Sequence, residues 1–171
     1  MKRRRLIQMG AALPLAGQET PKLALHTAEA VADSRLRFFS AAELAALRRL
    51  GELLTPAGEG RPGAVEAKAA EFLDFLLSES PPARQKLYKS GVARLVAAKF
   101  AEMTAEQAAP ILAPLGEAWT YHGPTDGFAR FLRAAKDDFL QATVNSRAWA
   151  DAMSSRSRGA GGMGLYWLPI E

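Results

Sequence analysis

The sequence predicts an all-α protein, an irregular bundle of about five helices with an extended aromatic C-terminal tail. Between Phe38 and Ala150, apolar residues recur every three or four positions, as on the buried face of a helix. Ser40–Glu43 and Thr104–Gln107 both have the Ser/Thr-x-x-Glu/Gln pattern of a capping box. No run alternates polar and apolar residues for long enough to predict a strand.

The first two helices are predicted on either side of a turn-forming linker, residues 56–63 (PAGEGRPG). The first helix follows the Ser40 cap, with Phe39 as a hydrophobic staple. Its apolar stripe consists of Leu44, Leu47, Leu50 and Leu54. The face of the second helix consists of Val65, Ala69, Phe72, Leu73 and Leu76, widened by Phe75 and Leu77.

Three more helices are predicted further along the chain. The third opens at Ser80-Pro81-Pro82, because proline is tolerated in a first turn, and its Gly91 is expected to allow close helix contact. A short fourth helix starts at Thr104 and ends around Pro110 or Pro114. A long fifth helix runs from about Asp126 to Ala150. Its buried face consists of Phe128, Phe131, Leu132, Ala135, Phe139 and Ala142.

The N-terminus has the pattern of a bacterial twin-arginine signal, which is read for export of folded proteins. The residues of this pattern are Arg3, Arg4, Leu6 and Ile7. The weakly apolar run that follows ends at Gly17, well short of the roughly 20 residues that span a bilayer, so it predicts a signal rather than an anchor. Cleavage after Ala30 or Ala32, or retention of the leader, is compatible with the sequence. A basic N-terminus without an export role is the alternative.

The predicted organisation has three parts. Residues 1–32 form the signal and tether, residues 33–153 the helical domain, and residues 154–171 a Gly-rich linker with an apolar docking tail. The bulky residues of the tail are Leu165, Tyr166, Trp167, Leu168 and Ile170. Such a tail either folds back on its own helices or docks on another protein. We expect docking on a partner, because aromatic residues are favoured interface anchors.

Charge and cysteine content exclude several classes of protein. The net charge is +4, but residues 33–171 hold 17 basic and 16 acidic residues, so most of the excess lies in the leader. Nucleic-acid binding needs clustered cations and is not predicted. Without cysteine the chain forms no disulfide, no Cys-ligated iron–sulfur cluster and no covalent c-type haem.

The sequence predicts no catalytic, cofactor-binding or metal-binding residue. His26 and His122 each lack a metal-ligand companion at helical spacing. Asp137 and Asp138 point about 100° apart on a helix and are interpreted as part of a solvated charged face with neighbouring basic residues. The glycine-rich run 159–164 lacks the Lys-Ser/Thr ending of a phosphate loop.

Five segments together resemble the gluconate 2-dehydrogenase subunit 3 family, from about Phe38 to Trp149. They are residues 38–44 (FFSAAEL), 53–56 (LLTP), 72–77 (FLDFLL), 131–138 (FLRAAKDD) and 142–149 (ATVNSRAW). The resemblance implies a non-catalytic, chaperone-like accessory subunit that carries the export signal and helps a signal-less flavoprotein mature and cross the membrane. The Gly-rich stretch and Tyr-Trp-Leu-Pro ending depart from commoner members.

The same resemblance implies partners and a location. FAD would sit in a large subunit of the glucose–methanol–choline oxidoreductase type, with a cytochrome c subunit as a further member and no cofactor in this chain. The complex would be periplasmic and associated with the inner membrane through its partner subunits, after export by the twin-arginine translocase. Two alternatives stay open. One is a stand-alone periplasmic binding module that uses the loop of Trp119, Tyr121 and His122, and the other is a cytoplasmic regulator with a basic arm, which the charge distribution disfavours.

Overall fold

The chain is described by a computed structural model that covers residues 36–118 and 120–159, with side chains as far as Ser154. Within those residues it is all-α, as predicted, with six α-helices and no strand. The helices are α1 (Ala41–Leu54), α2 (Ala69–Ser78), α3 (Pro82–Ala97), α4 (Ala105–Leu112), α5 (Gly127–Val144) and α6 (Arg147–Gly159). Short 3₁₀ turns span Phe100–Glu102 and Ala113–Gly116. No helix of this described part is long and apolar enough to cross a bilayer.

Both predicted capping boxes are confirmed. At the start of α1, Glu43 N–H donates to Ser40 Oγ (3.3 Å) and Ser40 N–H donates to Glu43 Oε2 (2.8 Å). At the start of α4, Gln107 N–H donates to Thr104 Oγ1 (3.3 Å) and Thr104 N–H to Gln107 Oε1 (2.9 Å). Each box satisfies two backbone donors that have no partner inside the helix.

The core lies where α1, α2, α3 and α5 meet. Its largest fully buried side chains are Tyr88, Phe100, Phe131 and Phe139. Gly91 of α3 lies directly against the Phe131 ring of α5, and a Cβ at this position would overlap that ring. This confirms that Gly91 allows the two helices to approach closely. Gly51 of α1 plays the same part, since a Cβ there would lie 2.5 Å from Phe139 Cε1.

The predicted second helix begins four residues too early. Lys68 adopts the left-handed conformation (φ 51°), and α2 starts only at Ala69. Val65, predicted on the buried face, therefore lies before the helix in a turn and is 57% exposed. Phe72 and Leu76 are half-buried, because the face that enters the core is that of Leu73 and Leu77.

The predicted long fifth helix is two helices. The chain leaves α5 after Val144, and Ser146 begins α6 by accepting the Trp149 N–H on its Oγ (3.1 Å). A serine at this position can accept a backbone N–H of the next turn, which favours the start of a new helix over continuation of α5. α6 then continues to Gly159, so the first residues of the predicted Gly-rich linker are helical.

Candidate functional site

The residues predicted to carry function lie outside the described part of the chain. These are the export-signal residues Arg3, Arg4, Leu6 and Ile7, and the tail residues Leu165, Tyr166, Trp167, Leu168 and Ile170. The structure does describe the two places where these segments join the folded body, namely residues 36–40 and the helix α6.

A buried carboxylate holds residues 37–39, at the start of the described chain. Asp74 of α2 is 3% exposed, and its two oxygens accept three consecutive backbone N–H groups. Arg37 N–H donates to Oδ2 at 2.7 Å, while Phe38 and Phe39 donate to Oδ1 at 3.1 and 2.7 Å. We call this group of four residues the Asp74 anchor. It satisfies a buried carboxylate and orders the backbone just before α1.

Lys89 of α3 covers the other side of the same segment. Its Nζ lies 4.7 Å from the ring centre of Phe38 and 5.1 Å from that of Phe39, within cation–π range. It also forms an ion pair with Glu43 Oε2 at 2.9 Å. Partial burial raises the pKa of Glu43, but hydrogen bonds from Ser40 and Lys89 outweigh it and leave the pKa lowered. Helices α2 and α3 thus hold residues 37–39, which lead into α1.

A second polar cluster joins α3 to α5. The Tyr88 hydroxyl donates a short hydrogen bond to Asp138 Oδ2, and Arg84 Nη2 lies 2.7 Å from both oxygens of the same carboxylate. Burial raises the pKa of Tyr88, and the hydrogen bond to Asp138 and its negative charge raise it further. The interpretation of a solvated charged face suits the exposed Asp137 but is wrong for Asp138.

The aromatic loop places its described side chains in solvent. Tyr121 is 85% exposed and stacks edge-on against exposed His122, with ring centres 5.3 Å apart. Thr120, Pro124 and Arg133 contribute to a cleft of about 420 Å³ beside the loop, but Tyr121 and His122 do not line it. Within the described ranges, no three His, Cys, Asp or Glu side chains are placed to hold a metal ion.

An open apolar groove lies beside the start of α6. It has a volume of about 390 Å³, and its apolar walls are formed mainly by Pro56, Pro62, Leu140, Val144 and Trp149. Leu140 is 51% exposed and adds its side chain to the surface of this groove. The groove therefore gives the body an exposed apolar surface where α5, α6 and the linker 56–62 meet.

Sequence reasoning assigned no role to Asp74, although one signal was present. An aspartate between Leu73 and Phe75 interrupts an otherwise apolar run, and a buried carboxylate requires donors. Tyr88 and Asp138 carry no comparable signal. They lie 50 positions apart in the chain, and their pairing depends on how α3 packs against α5.

No curated protein and no solved structure matches the chain. The model of one family, described as gluconate 2-dehydrogenase subunit 3, matches residues 41–153, from the first residue of α1 into α6. This match covers most of the chain and all of the helical core, and the chain belongs to the gluconate 2-dehydrogenase subunit 3 family.

Proposed function

We propose that this protein is a non-catalytic accessory subunit of a flavin-dependent dehydrogenase of the glucose–methanol–choline type. It assists maturation of the flavoprotein, carries it through the twin-arginine translocase and stays bound to it in the periplasm. FAD belongs to the large subunit, a cytochrome c subunit is a further member, and the inner membrane is reached through these partners.

The family match carries this proposal. The family name denotes the third subunit of a dehydrogenase, and the match spans the body to which the leader is attached. The twin-arginine pattern at Arg3 and Arg4 supports export in the folded state. The Asp74 anchor adds a physical argument, since residues 37–39, which follow the proposed leader, are held by hydrogen bonds that only the assembled helices provide.

The tail is proposed to supply the main contact with the flavoprotein. Leu165, Tyr166, Trp167, Leu168 and Ile170 would bury a large apolar area with few rotatable bonds. The exposed groove beside Leu140 and Trp149 offers further apolar surface near the start of the helix that leads into this segment.

Export is tested by replacing Arg3 and Arg4 with lysine in cells that also express the proposed flavoprotein partner. The charge is unchanged, but a receptor that recognises arginine should no longer bind the leader, so both proteins should remain in the cytoplasm. The matched control is Lys2→Arg with Arg5→Lys, which makes two equally conservative changes outside the pair. Normal periplasmic dehydrogenase activity in the Arg3/Arg4 variant would contradict the export role.

The assignment of chemistry is tested with purified proteins. The isolated chain should show no visible flavin or haem absorption and should reduce no electron acceptor, whereas the co-purified complex should show a flavin spectrum. A stoichiometric cofactor in the isolated chain would overturn the accessory role. A stable periplasmic protein that retains no flavoprotein would favour the stand-alone binding module.

A further inference from the structure

The helix α3 and its flanks form the most basic stretch of the folded body. Between Glu79 and Glu102 the chain has no acidic residue. It has five basic residues, which are Arg84, Lys86, Lys89, Arg94 and Lys99. Because residues 33–171 are nearly neutral as a whole, this excess is a local property of this stretch and not of the whole body.

Two of these cations are neutralised inside the fold. Arg84 pairs with Asp138 at 2.7 Å, and Lys89 pairs with Glu43 at 2.9 Å. Lys86 and Arg94 are exposed, and so is Arg130 on the facing part of α5. None of these three forms an ion pair with a carboxylate in the described part of the chain.

Two of these cations, Lys86 and Arg130, line a concave site between α3 and α5. Its volume is about 380 Å³, and it is lined by Ala83, Lys86, Leu87, Ser90, Gly127 and Arg130. Half-buried Leu87 provides an apolar surface, and no acidic side chain lines the cleft. We call this site the basic cleft.

Arg94 extends the positive charge along the same helix face. Positions 86, 90 and 94 are one turn apart and therefore share a side of α3. The Arg94 guanidinium lies 4.2 Å from the ring centre of Phe128, which restricts its position by a cation–π contact. Asp126, beside Gly127 in sequence, accepts the Ala129 N–H at 2.8 Å as the cap of α5, and in the described residues it forms no ion pair with Lys86, Arg94 or Arg130.

We propose that the basic cleft binds an acidic peptide segment of the large flavoprotein subunit. Carboxylates of that segment would pair with Lys86, Arg94 and Arg130, and an apolar side chain would contact Leu87. Complementary charge of this kind directs association and orientation more than it adds affinity. This inference rests on the proposed function, and it adds the chemistry of the partner surface.

A protein segment fits this site better than an anionic lipid surface. The cleft is concave, whereas a bilayer is flat on this scale. Lipid binding by a helix face also needs exposed bulky apolar side chains. The exposed large apolar residues of the described chain are Leu36, Val65, Tyr121 and Leu140, and none of them lines the cleft.

The test is a charge reversal in the full chain, co-expressed with the flavoprotein and retrieved by affinity purification. Lys86→Glu with Arg130→Glu should weaken binding by about tenfold and reduce its dependence on salt. The matched control is Lys99→Glu with Lys136→Glu, which changes the charge equally at two exposed cations outside the cleft. The control should change binding by no more than about twofold, and both variants should keep the wild-type melting temperature.

A carbodiimide, which joins amines to carboxylates without a spacer, tests the contact directly. Lys86 should couple to an Asp or Glu of the flavoprotein, and Lys86→Arg should abolish that cross-link while binding is retained. If the wild-type protein retains the flavoprotein and the cleft and control variants bind it equally well, the inference about the basic cleft is overturned but the proposed function is not. If the wild-type chain retains no flavoprotein, the proposed function fails as well. Cleft-dependent flotation with phosphatidylglycerol vesicles, without cleft-dependent flavoprotein binding, would also overturn it in favour of a lipid surface.

Discussion

The carboxylate of Asp74 accepts the backbone N–H of Phe39 at 2.7 Å, so a residue of α2 fixes the backbone that leads into α1, 35 residues earlier. The same carboxylate accepts the N–H groups of Arg37 and Phe38. Three donors from consecutive residues on one buried carboxylate make this contact the firmest link between the start of the fold and its core.

Asp74→Asn should destabilise the protein by about 2–3 kcal/mol. The amide keeps the shape of the side chain, but its NH₂ group cannot accept a hydrogen bond and would face a backbone donor. Urea unfolding followed by circular dichroism measures the loss. Glu79→Gln, an equally conservative change at the exposed residue that follows the last residue of α2, should leave the midpoint unchanged. A wild-type midpoint for Asp74→Asn would show that the anchor contributes nothing to stability.

Tyr88→Phe should cost about 1–2 kcal/mol near neutral pH, because it removes the hydroxyl but leaves Asp138 paired with Arg84. The pKa of Tyr88 is raised by burial and by the neighbouring Asp138 carboxylate. The tyrosine therefore contributes its full stability below its unfolded pKa of about 10, and that contribution falls as the pH rises above this value.

The difference in unfolding free energy between wild type and Tyr88→Phe should accordingly stay constant up to about pH 9 and narrow between about pH 10 and pH 11. Urea titrations of both proteins at several pH values measure it, and groups common to the two proteins cancel in the difference. A difference that stays constant over this range would contradict the buried, hydrogen-bonded state of Tyr88.

Gly91→Ala should destabilise the protein by about 1–3 kcal/mol, since the new methyl group would overlap the Phe131 ring. Gly116→Ala is the control, because nothing lies within 4 Å of a Cβ at that position. Phe131→Leu should be destabilising alone, but it makes room for the new methyl group. The double variant Gly91→Ala/Phe131→Leu should therefore lose less stability than the sum of the two single losses, as expected for side chains in contact. Additive losses would indicate that the two positions do not share this space.

Truncation after Gly159 tests the tail and keeps α6 intact. We expect the shortened protein to keep its melting temperature and to lose the flavoprotein in a pull-down, because the removed apolar residues are proposed to anchor the partner. Replacing Leu165, Trp167 and Ile170 by serine in the full-length chain should give the same result without shortening it. A large fall in melting temperature would instead mean that the tail packs on its own body, for example in the groove beside Leu140.

The sequence predicted those parts of the fold that depend on neighbouring residues. The capping boxes at Ser40 and Thr104 each involve residues three apart, so their pattern is visible in the sequence itself. Gly91 was identified because a glycine on a helix stripe has few explanations other than close packing. These features are confirmed because they need little knowledge of the tertiary structure.

The predictions that were wrong, or missing, depend on backbone choices or distant partners. Val65 has the apolar spacing of α2, but Lys68 adopts a left-handed conformation, so the helix begins only after it and Val65 is not part of the helix. Ser146 divides the predicted long helix, because its side chain caps a new helix by accepting the Trp149 N–H. The apolar periodicity continues across this position and therefore does not reveal the break. Asp138 looked solvated because its partners, Arg84 and Tyr88, are 54 and 50 residues away in the chain.

The position of the Asp74 anchor decides how a shortened recombinant protein should be designed. The family match begins at residue 41, two positions after Phe39, the last of the three residues that donate to Asp74. An expression product cut at that boundary would keep every helix of the match but leave a buried carboxylate without its donors, at a cost of several kcal/mol. Starting the product at residue 36 preserves the contact, so leader-free protein for crystallisation or binding assays should begin before Arg37 rather than at the start of α1.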